Sequence, residues 1–344
     1  MQFSFNDEQN QFREVIQRFM VDKSPPIEVR RLMETEEGYD PEVWKQLSGD
    51  LGLPGLHIPE SYGGIGFGFV ELGICLEEMG RALFCSPFFS SVVLGASSIL
   101  NGATEEQKQS LLPQIASGET LATLAFTEPN GRWDASGIEM TATESEKGYN
   151  LTGTKSFVVD GMIADLILVL ARTPGTRGAS GLSLFAVKAD SSGLKRGPLK
   201  SMDLTRKLAR IEFENVSAEL LGEYEAAYTG FSNTLDWAAV ALANEMVGGA
   251  QQMLDSAIAY TGMRMQFGRT IGSFQAIKHR CADLLMDVEL AKSAAYSAAS
   301  ALADNDENFP AVASLAKSSA SEAYMQSAAE CIQLHGGIGF TWDQ

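Results

Sequence analysis

Histidine and cysteine are scarce in this sequence, with three and four residues among 344. Cys75, Cys85, Cys281 and Cys331 stand far apart and form neither a C-x-x-C pair nor a Cys/His pattern with the spacing of a metal site. The sequence therefore predicts no metal centre. Free thiols buried in apolar helices, in a reducing compartment, are the expected state of these cysteines.

Positive charge is also in short supply. Lys and Arg number 26 against 44 Asp and Glu, which gives a net charge of −18. Nucleic-acid phosphates are bound by clustered Lys and Arg, so a nucleic-acid partner is not expected. An anionic ligand would need a local basic cluster. The sequence offers two such clusters, one of Arg206, Lys207 and Arg210 and one of Arg264, Arg269, Lys278 and Arg280.

Long apolar runs are missing as well. Residues 1–12, MQFSFNDEQNQF, lack both the basic start and the apolar segment of a signal peptide. No apolar run reaches the roughly 20 residues that a membrane-spanning helix needs. We therefore expect no membrane insertion, and a cytoplasmic location.

The pattern of residues changes twice along the chain. Hydrophobic residues make up 45% and charged residues 20%, which is typical of a folded chain of two or three domains. Helical periodicity marks residues 1–118, short β-rich runs separated by Gly, Pro and Asp occupy 119–222, and helical periodicity returns over 223–344. The predicted fold class is α+β, with an N-terminal helical domain, a small antiparallel β barrel or sandwich, and a C-terminal helical bundle.

Capping and breaking residues set the expected element bounds. Asn6 is the predicted N-cap of the first helix, which a Pro25–Pro26 pair ends. The glycine-rich segment 63–66 lacks the preceding strand of a dinucleotide fingerprint, so we interpret it as a loop between helices. Further helices are expected at 41–51, 69–83, 86–100 and 104–116, strands at 120–127, 138–144, 149–159, 165–172, 182–187 and 210–213, and a last helix from about 308 to Gly336.

The most informative stretch is YTGMRMQFGRTIGSFQAIK, residues 260–278, which reads as a helix end, a turn at 268–272 and a new helix. A single arginine such as Arg264 is most often a solvated surface charge. Here Arg264, Phe267 and Gln275 fall close together, and the pattern resembles the R-x-x-F-G…F-Q segment of the acyl-CoA dehydrogenase family. The resemblance implies that Arg264 and Phe267 reach across a subunit interface to the diphosphate and ring of a neighbour's FAD.

A second segment, QLHGGIGF at residues 333–340, resembles the Q-x-x-G-G-x-G-F segment of the same family. Glycines at a helix end let backbone amides approach a phosphate or adenosine, and three within four residues exceed what a helix cap requires. The resemblance implies that Gln333, Gly336 and Gly337 belong to the part of the chain that completes a partner's FAD site.

Two further segments resemble the half of the site that receives the flavin. Phe126 and Thr127 stand in an F-T-E-P run that is, on chemistry alone, a strand end with a turn proline; the resemblance implies contact with the flavin pyrimidine edge. The family continues with Gly-Ser-Asp, whereas bulky Arg132 and Trp133 stand here before the Asp. This departure predicts altered flavin occupancy.

The segment KSFVVDG, residues 155–161, resembles the family's K-x-W-I-T-N-G and is otherwise an amphipathic strand entering a turn. Phe157 keeps the aromatic face that the resemblance implies for flavin stacking. Val159 stands where the family has a threonine whose hydroxyl bonds near the reactive nitrogen. The receiving half is thus expected to be altered while the donated half is intact.

Dehydrogenation of an acyl-CoA needs a carboxylate that takes the α-proton while the flavin takes a hydride. One family location lies past Gln344, the last residue of the sequence, and the other corresponds to Ala238, which cannot act as a base. Glu245 shares the helical face of Ala238 and is the favoured candidate; Asp236, on roughly the opposite face from Glu245, is the alternative. A carboxylate merely paired with a nearby arginine remains equally open for Glu245.

Three functions remain open. The first is an FAD-dependent acyl-CoA dehydrogenase that makes a trans-2-enoyl-CoA, passes electrons to an electron-transfer flavoprotein and works as a homodimer or homotetramer. The second is a companion subunit, in a heterotetramer with a second acyl-CoA dehydrogenase subunit, that completes the partner's FAD site. The third is a non-catalytic acyl-CoA or protein-binding module on the same scaffold.

Overall fold

The computed structural model describes residues 5–146 and 148–342. Gln344, past which one family location of the base lies, is outside the described residues. The chain divides into two compact units. We call Met1–Pro26, Gly68–Phe84 and Ala239–Gln344 the bundle unit, and Ile27–Phe67 and Cys85–Ala238 the barrel unit. The three domain bounds read from the sequence remain a prediction.

Helices occupy most of the sequence outside the barrel. No helix of the described chain has both the length and the apolar character to cross a bilayer. The α-helices are α1 (Asp7–Lys23), α2 (Pro26–Met33), α3 (Pro41–Gly49), α4 (Phe69–Arg81), α5 (Ser97–Gly102), α6 (Glu105–Ala116), α7 (Ala227–Met263), α8 (Gln275–Ala303) and α9 (Phe309–His335), and a π-helix runs over Phe89–Ala96.

Local sequence sets the helix ends. The Asn6 side chain accepts from the Gln9 N–H at 2.8 Å and the Gln9 side chain accepts from the Asn6 N–H at 3.0 Å, so the predicted N-cap of α1 is confirmed as a capping box. Pro26 does more than separate helices. It begins α2, a helix that the sequence interpretation missed, because proline at the first helical position lacks only an N–H that would be unbonded anyway.

The β domain is a seven-stranded sheet that closes on itself. The strands are β1 (Ala122–Ala125), β2 (Thr141–Ser145), β3 (Gly148–Val159), β4 (Leu166–Arg172), β5 (Leu182–Lys188), β6 (Leu194–Pro198) and β7 (Leu208–Leu221). β4 pairs with β5 along one edge and with β1 and β2 along the other, and β2 is joined to β5 through β3 and β7. The predicted small barrel is therefore confirmed.

Two features of the barrel differ from the sequence prediction. β1 and β4 run parallel, because the β2–β3 hairpin separates them in the chain and β4 returns in the direction of β1. β6 was not predicted. It carries Gly197 and Pro198 and, among the residues that the structure describes, pairs only with β7, an edge position that tolerates proline. The barrel interior holds inward-facing apolar side chains such as Leu151, Ile167 and Phe185.

A buried charge network joins α1, α4 and α8 within the bundle unit. Arg13 contacts Glu77 at 2.7 Å and Glu78 at 3.1 Å, and the Tyr296 hydroxyl donates to Glu77 at 2.6 Å. Burial raises the pKa of Glu78 although Arg13 opposes the shift. Since each of these charges has a partner, the network fixes which faces of the three helices meet.

Glycines let α4 and α7 cross closely within the bundle unit. A Cβ at Gly80 would lie 1.9 Å from the Glu245 carbonyl oxygen, and a Cβ at Gly248 would lie 1.8 Å from the Glu77 carbonyl oxygen. Backbone atoms cannot rotate away as a flexible side chain could. The two helices therefore depend on having no side chain at these two positions.

Replacement Gly248→Ala is expected to lower the free energy of unfolding by about 1–3 kcal/mol, because the methyl group would force α4 and α7 apart. Gly262 is the matched control on the same helix, since nothing lies within 4 Å of a Cβ built there. Gly262→Ala should leave stability unchanged or raise it by up to about 1 kcal/mol. Urea unfolding of both variants checks the pair; equal stability would show that the crossing adjusts at no cost.

Candidate active site

The end of β1 carries Phe126 and Thr127, two of the residues that the sequence resemblance places at a flavin. Phe126 is half-buried and Thr127 is buried. The ring of Phe126 contacts that of Phe231 on α7, with 5.4 Å between the centroids. The aromatic side chain is therefore anchored against the first turns of α7 inside the barrel unit.

A bulge in β3 turns Phe157 outward. The register of β3 on β7 shifts between Lys155 and Val158, and at the shift the Ser156 N–H donates to the Thr127 carbonyl at 2.8 Å. Phe157 has φ +57°, and the residue is 52% exposed. Left-handed backbone costs a non-glycine residue about 1–2 kcal/mol, so the neighbouring contacts must hold it.

Val159 continues from the bulge along β3. It is half-buried, and its carbonyl accepts a hydrogen bond from the Thr123 hydroxyl at 2.6 Å, which ties this backbone to β1. Two adjoining segments of the barrel thus carry four predicted site residues. We call these residues the strand-end platform: Phe126, Thr127, Phe157 and Val159.

A buried ion pair adjoins the platform, and the sequence interpretation did not identify it. Lys155 Nζ lies 2.7 Å from Glu128 Oε1, with side chains 0% and 6% exposed. Burial lowers the pKa of Lys155 to about 8, and the Glu128 charge opposes that shift. One signal was present in the sequence: Lys155 stands four residues after the buried Leu151, on the face of β3 that strand alternation assigns to the interior.

The loop carrying Arg132 and Trp133 is held by its own side chains. Asn130 donates to the Gly137 carbonyl at 2.7 Å and accepts from the Arg132 N–H at 3.0 Å, and Arg132 donates to the Ser136 hydroxyl at 3.2 Å. Trp133 is 72% exposed. The bulky pair therefore projects from the barrel unit and does not fill a cavity inside it.

Asp160 follows Val159 at the position where the resembled motif has asparagine. It is buried and its carboxylate accepts from the Ser90 hydroxyl at 2.6 Å. Burial raises the pKa of Asp160 to about 6, although the Ser90 hydrogen bond and the Arg206 charge oppose the shift. A carboxylate here costs folding free energy that the family's amide would not.

Replacement Asp160→Asn is expected to stabilise the protein at alkaline pH and to have little effect at about pH 4. Because the pKa in the folded chain lies above the unfolded value of about 3.9, ionisation destabilises the fold progressively between about pH 4 and pH 6, by up to about 3 kcal/mol. Asparagine can still accept the Ser90 hydrogen bond. Thermal unfolding of both proteins across pH 4 to 8 checks this; a difference that does not grow with pH would contradict it.

The remaining predicted site residues gather at one end of the bundle unit. The ends of α7 and α9 and the start of α8 meet in a small apolar core that contains Ala257, Cys331 and Leu334, with Ile277 packed against it. This core brings together chain segments that are far apart in sequence. These segments carry six predicted site residues, which we call the bundle end: Arg264, Phe267, Gln275, Gln333, Gly336 and Gly337.

A two-residue hairpin presents the first part of the bundle end. β8 (Met265–Gln266) pairs with β9 (Arg269–Thr270), and the turn between them has Phe267 at φ +52° and Gly268 at φ +77°. Positive φ at both turn residues is the geometry that suits the twist of a hairpin. Phe267 is 91% exposed and Arg264 is also exposed. The predicted turn is thus a hairpin that projects an aromatic ring and a guanidinium into solvent.

The end of α9 presents the second part. His335 stacks on Tyr260 with 4.2 Å between ring centroids and bonds through Nδ1 to the Cys331 carbonyl at 2.7 Å, so the helix end is fixed. Gly336 has φ +62°, and a Cβ at Gly336 or Gly337 would meet nothing within 4 Å. Gln333 and both glycines are exposed, as is Gln275 at the start of α8. The backbone at this end is open to a ligand.

The two clusters offer what FAD requires. The flavin ring needs a flat aromatic face beside strand-end backbone groups, which the exposed ring of Phe157 and the end of β1 supply. The diphosphate needs a cation and accessible amides, which exposed Arg264 and the open backbone at Gly336 and Gly337 supply. The residues present therefore fit the cofactor.

The candidate bases lie on α7. Phe231, Thr234 and Ala238 are buried on one face of this helix, the face that contacts Phe126 through Phe231. Glu245 follows on that face and is half-buried where α4 crosses α7. Asp236 is half-buried on another face, and burial raises its pKa.

Three stretches covering most of the chain match the acyl-CoA dehydrogenase family, its N-terminal domain over residues 6–119, its middle domain over 123–216 and its C-terminal domain over 229–344. Probable acyl-CoA dehydrogenase YngJ of Bacillus subtilis is 34% identical, over 99% of this chain and 90% of that protein. The caffeyl-CoA reductase–Etf complex subunit CarC of Acetobacterium woodii is 32% identical, over 97% and 89%. The solved butyryl-CoA dehydrogenase of Megasphaera elsdenii has a TM-score of 0.92 at 29% identity, over 100% of this chain and 92% of that one. This chain belongs to the acyl-CoA dehydrogenase family, and it is an FAD-dependent oxidoreductase that acts on acyl-CoA.

Proposed function

We propose that this protein oxidises the Cα–Cβ bond of an acyl-CoA thioester to a trans-2-enoyl-CoA, in an oligomer whose flavins are each held by two chains. The observation that carries the proposal is the exposure of both ligand-binding clusters. Phe157 presents its ring outward from the barrel unit, and Arg264 and Phe267 project outward from the bundle unit. Exposed aromatic and cationic groups on a protein surface are typical of an interface or a ligand site.

Each cluster has a distinct role in the proposal. FAD supplies the acceptor for the hydride that leaves Cβ. Phe157 offers a stacking face for the flavin ring, and Thr127 offers strand-end groups to its polar edge. Arg264 pairs with the diphosphate of the FAD bound to a neighbouring chain, and Gly336 and Gly337 bring amides close to the same cofactor.

Glu245 is proposed as the group that takes the α-proton, with Asp236 as the alternative. The argument for Glu245 is its place on the face of α7 that also holds Ala238 and Phe231. The argument for Asp236 is its raised pKa, since burial makes a carboxylate a stronger base. A variant of each residue decides between them, as set out in the Discussion.

A second candidate function is that of a companion subunit in a heteromeric acyl-CoA dehydrogenase. One observation favours it: the face of α7 that contacts Phe126 has Ala238 where the family carries one of its bases, so the nearest carboxylate on that face is two turns away. A subunit of this kind would complete the partner's flavin site and leave catalysis to the partner. A non-catalytic module would complete no flavin site and would belong to no catalytic oligomer.

An electron-transfer flavoprotein is the proposed electron acceptor, and the proposed location is cytoplasmic. The acceptor is supported by CarC, a relative whose name places it in a complex with Etf.

The proposed reaction is tested by incubating the purified protein with saturated acyl-CoA thioesters and an artificial electron acceptor. The thioesters differ in the length of the acyl chain and in whether that chain carries a ring. Mass spectrometry of the CoA products should show the loss of two hydrogens from at least one thioester. A protein that leaves every thioester unchanged and acquires FAD only with a second subunit would favour the companion subunit.

A further inference from the structure

We propose that Lys155 and Glu128 act as a positioning pair that holds the strand-end platform in the geometry the flavin needs. Both side chains are buried, 0% and 6% exposed, so the proposed role is one of positioning and not of contact with the substrate. The flavin as ligand rests on the proposed function, but the arrangement of the pair is a property of the barrel unit alone.

Lys155 connects β3 to the end of β1. Its ammonium lies 2.7 Å from Glu128 Oε1 and donates to the Phe126 carbonyl at 3.2 Å. The next residue, Ser156, donates its N–H to the Thr127 carbonyl at 2.8 Å. Three successive residues at the end of β1 are therefore bonded to two successive residues of β3.

Glu128 connects the end of β1 to the residues before β2. Its Oε1 accepts from the Met140 N–H and its Oε2 from the Glu139 N–H, both at 2.9 Å. With Lys155 this makes three donors to one carboxylate, which is 6% exposed. The pair thus joins three separate chain segments at one buried point.

Stability alone does not account for a buried ion pair in this place. Removing two charges from water costs several kcal/mol, and well-packed apolar side chains of similar volume are often as stabilising. What apolar side chains cannot do is hold the Phe126 carbonyl and the N–H groups of Glu139 and Met140 with directional bonds. The bulge that turns Phe157 outward begins directly after Lys155, so its position depends on these bonds.

If the pair positions the platform, FAD binding depends on Lys155 and Glu128 even where folding does not. A displaced platform makes poorer contacts with the flavin, and each loss of about 1.4 kcal/mol of binding free energy raises the dissociation constant about tenfold. Loss of the pair should therefore weaken FAD binding and change the environment of the bound flavin, even in a chain whose barrel remains closed.

The test uses the double variant Lys155→Met/Glu128→Gln, which removes both charges at nearly constant volume and leaves no unpaired buried ion. FAD is removed from the oligomer and titrated back while flavin fluorescence and visible circular dichroism are recorded. We expect the dissociation constant for FAD to rise at least about tenfold, with an altered visible circular dichroism spectrum and a thermal midpoint close to that of the unmodified protein.

The control is Lys195→Met/Glu214→Gln, which removes an exposed ion pair of the same 2.7 Å length from the barrel. It should leave FAD binding unchanged. A Lys155→Met/Glu128→Gln protein that binds FAD like the control would overturn the positioning role, as would one that fails to fold, because the pair would then serve stability. An unmodified protein that binds no FAD would overturn the proposed function and this role together.

Discussion

Chains carrying Arg264→Ala and chains carrying Phe157→Ala should each bind FAD weakly by themselves and recover binding when they are assembled into one oligomer. Loss of a charge-assisted bond to phosphate costs about 1.5–3 kcal/mol, which is about a 10- to 150-fold rise in the dissociation constant. In a mixed dimer with two shared sites, one site carries both substitutions and the other carries neither, so about half of the flavin should return.

The experiment requires two different affinity tags, so that only mixed oligomers are recovered. Arg269→Ala is the matched control within the same hairpin. Arg269 is exposed and stacks on Phe274 at 3.9 Å, so its loss removes a nearby cation without removing the guanidinium of Arg264. Mixed oligomers with no more flavin than either parent would place Arg264 and Phe157 at the same site within one chain, and would contradict a flavin shared between chains.

Replacement Glu245→Gln is expected to lower kcat by about 100- to 10,000-fold while flavin content stays unchanged, because a positioned general base contributes that much to proton abstraction. Gln is close to Glu in size, so the crossing of α4 and α7 beside it should persist. Stopped-flow bleaching of the flavin by an acyl-CoA measures the reductive step directly.

Asp236→Asn is the comparison variant on the same helix, at a roughly opposite angular position. A large loss with Asp236→Asn and none with Glu245→Gln would move the base to Asp236. An unchanged rate in both variants would show that neither carboxylate takes the proton in this protein.

The sequence was sufficient to predict what local pattern controls. Asn6 was recognised as a helix cap because acidic Asp7 and Glu8 follow it in the first turn, and the turn after Arg264 was recognised from Gly268. The fold class followed from periodicity that changes from helical to β and back. In the structure, the motif residues lie in the strand-end platform and in the bundle end.

What the sequence did not reveal depends on contacts between distant segments. Lys155 and Glu128 are 27 residues apart, and a lysine in a strand gives no indication of its partner until the end of β1 and the bulge in β3 are adjacent. The burial of Asp160 depends in the same way on Ser90 in the π-helix. The exposure of Trp133 could not be read from its bulk, because hydrogen bonds within its own loop determine its direction.

The visible spectrum and flavin-to-protein ratio of this chain, purified without any other acyl-CoA dehydrogenase subunit, test the central claim most directly. If chains of this protein complete each other's sites, the oligomer should be yellow, with close to one FAD per chain, and an acyl-CoA substrate should bleach it. Colourless protein that acquires flavin only with a second, different subunit would contradict that claim and make this chain the donating half of a heteromeric enzyme.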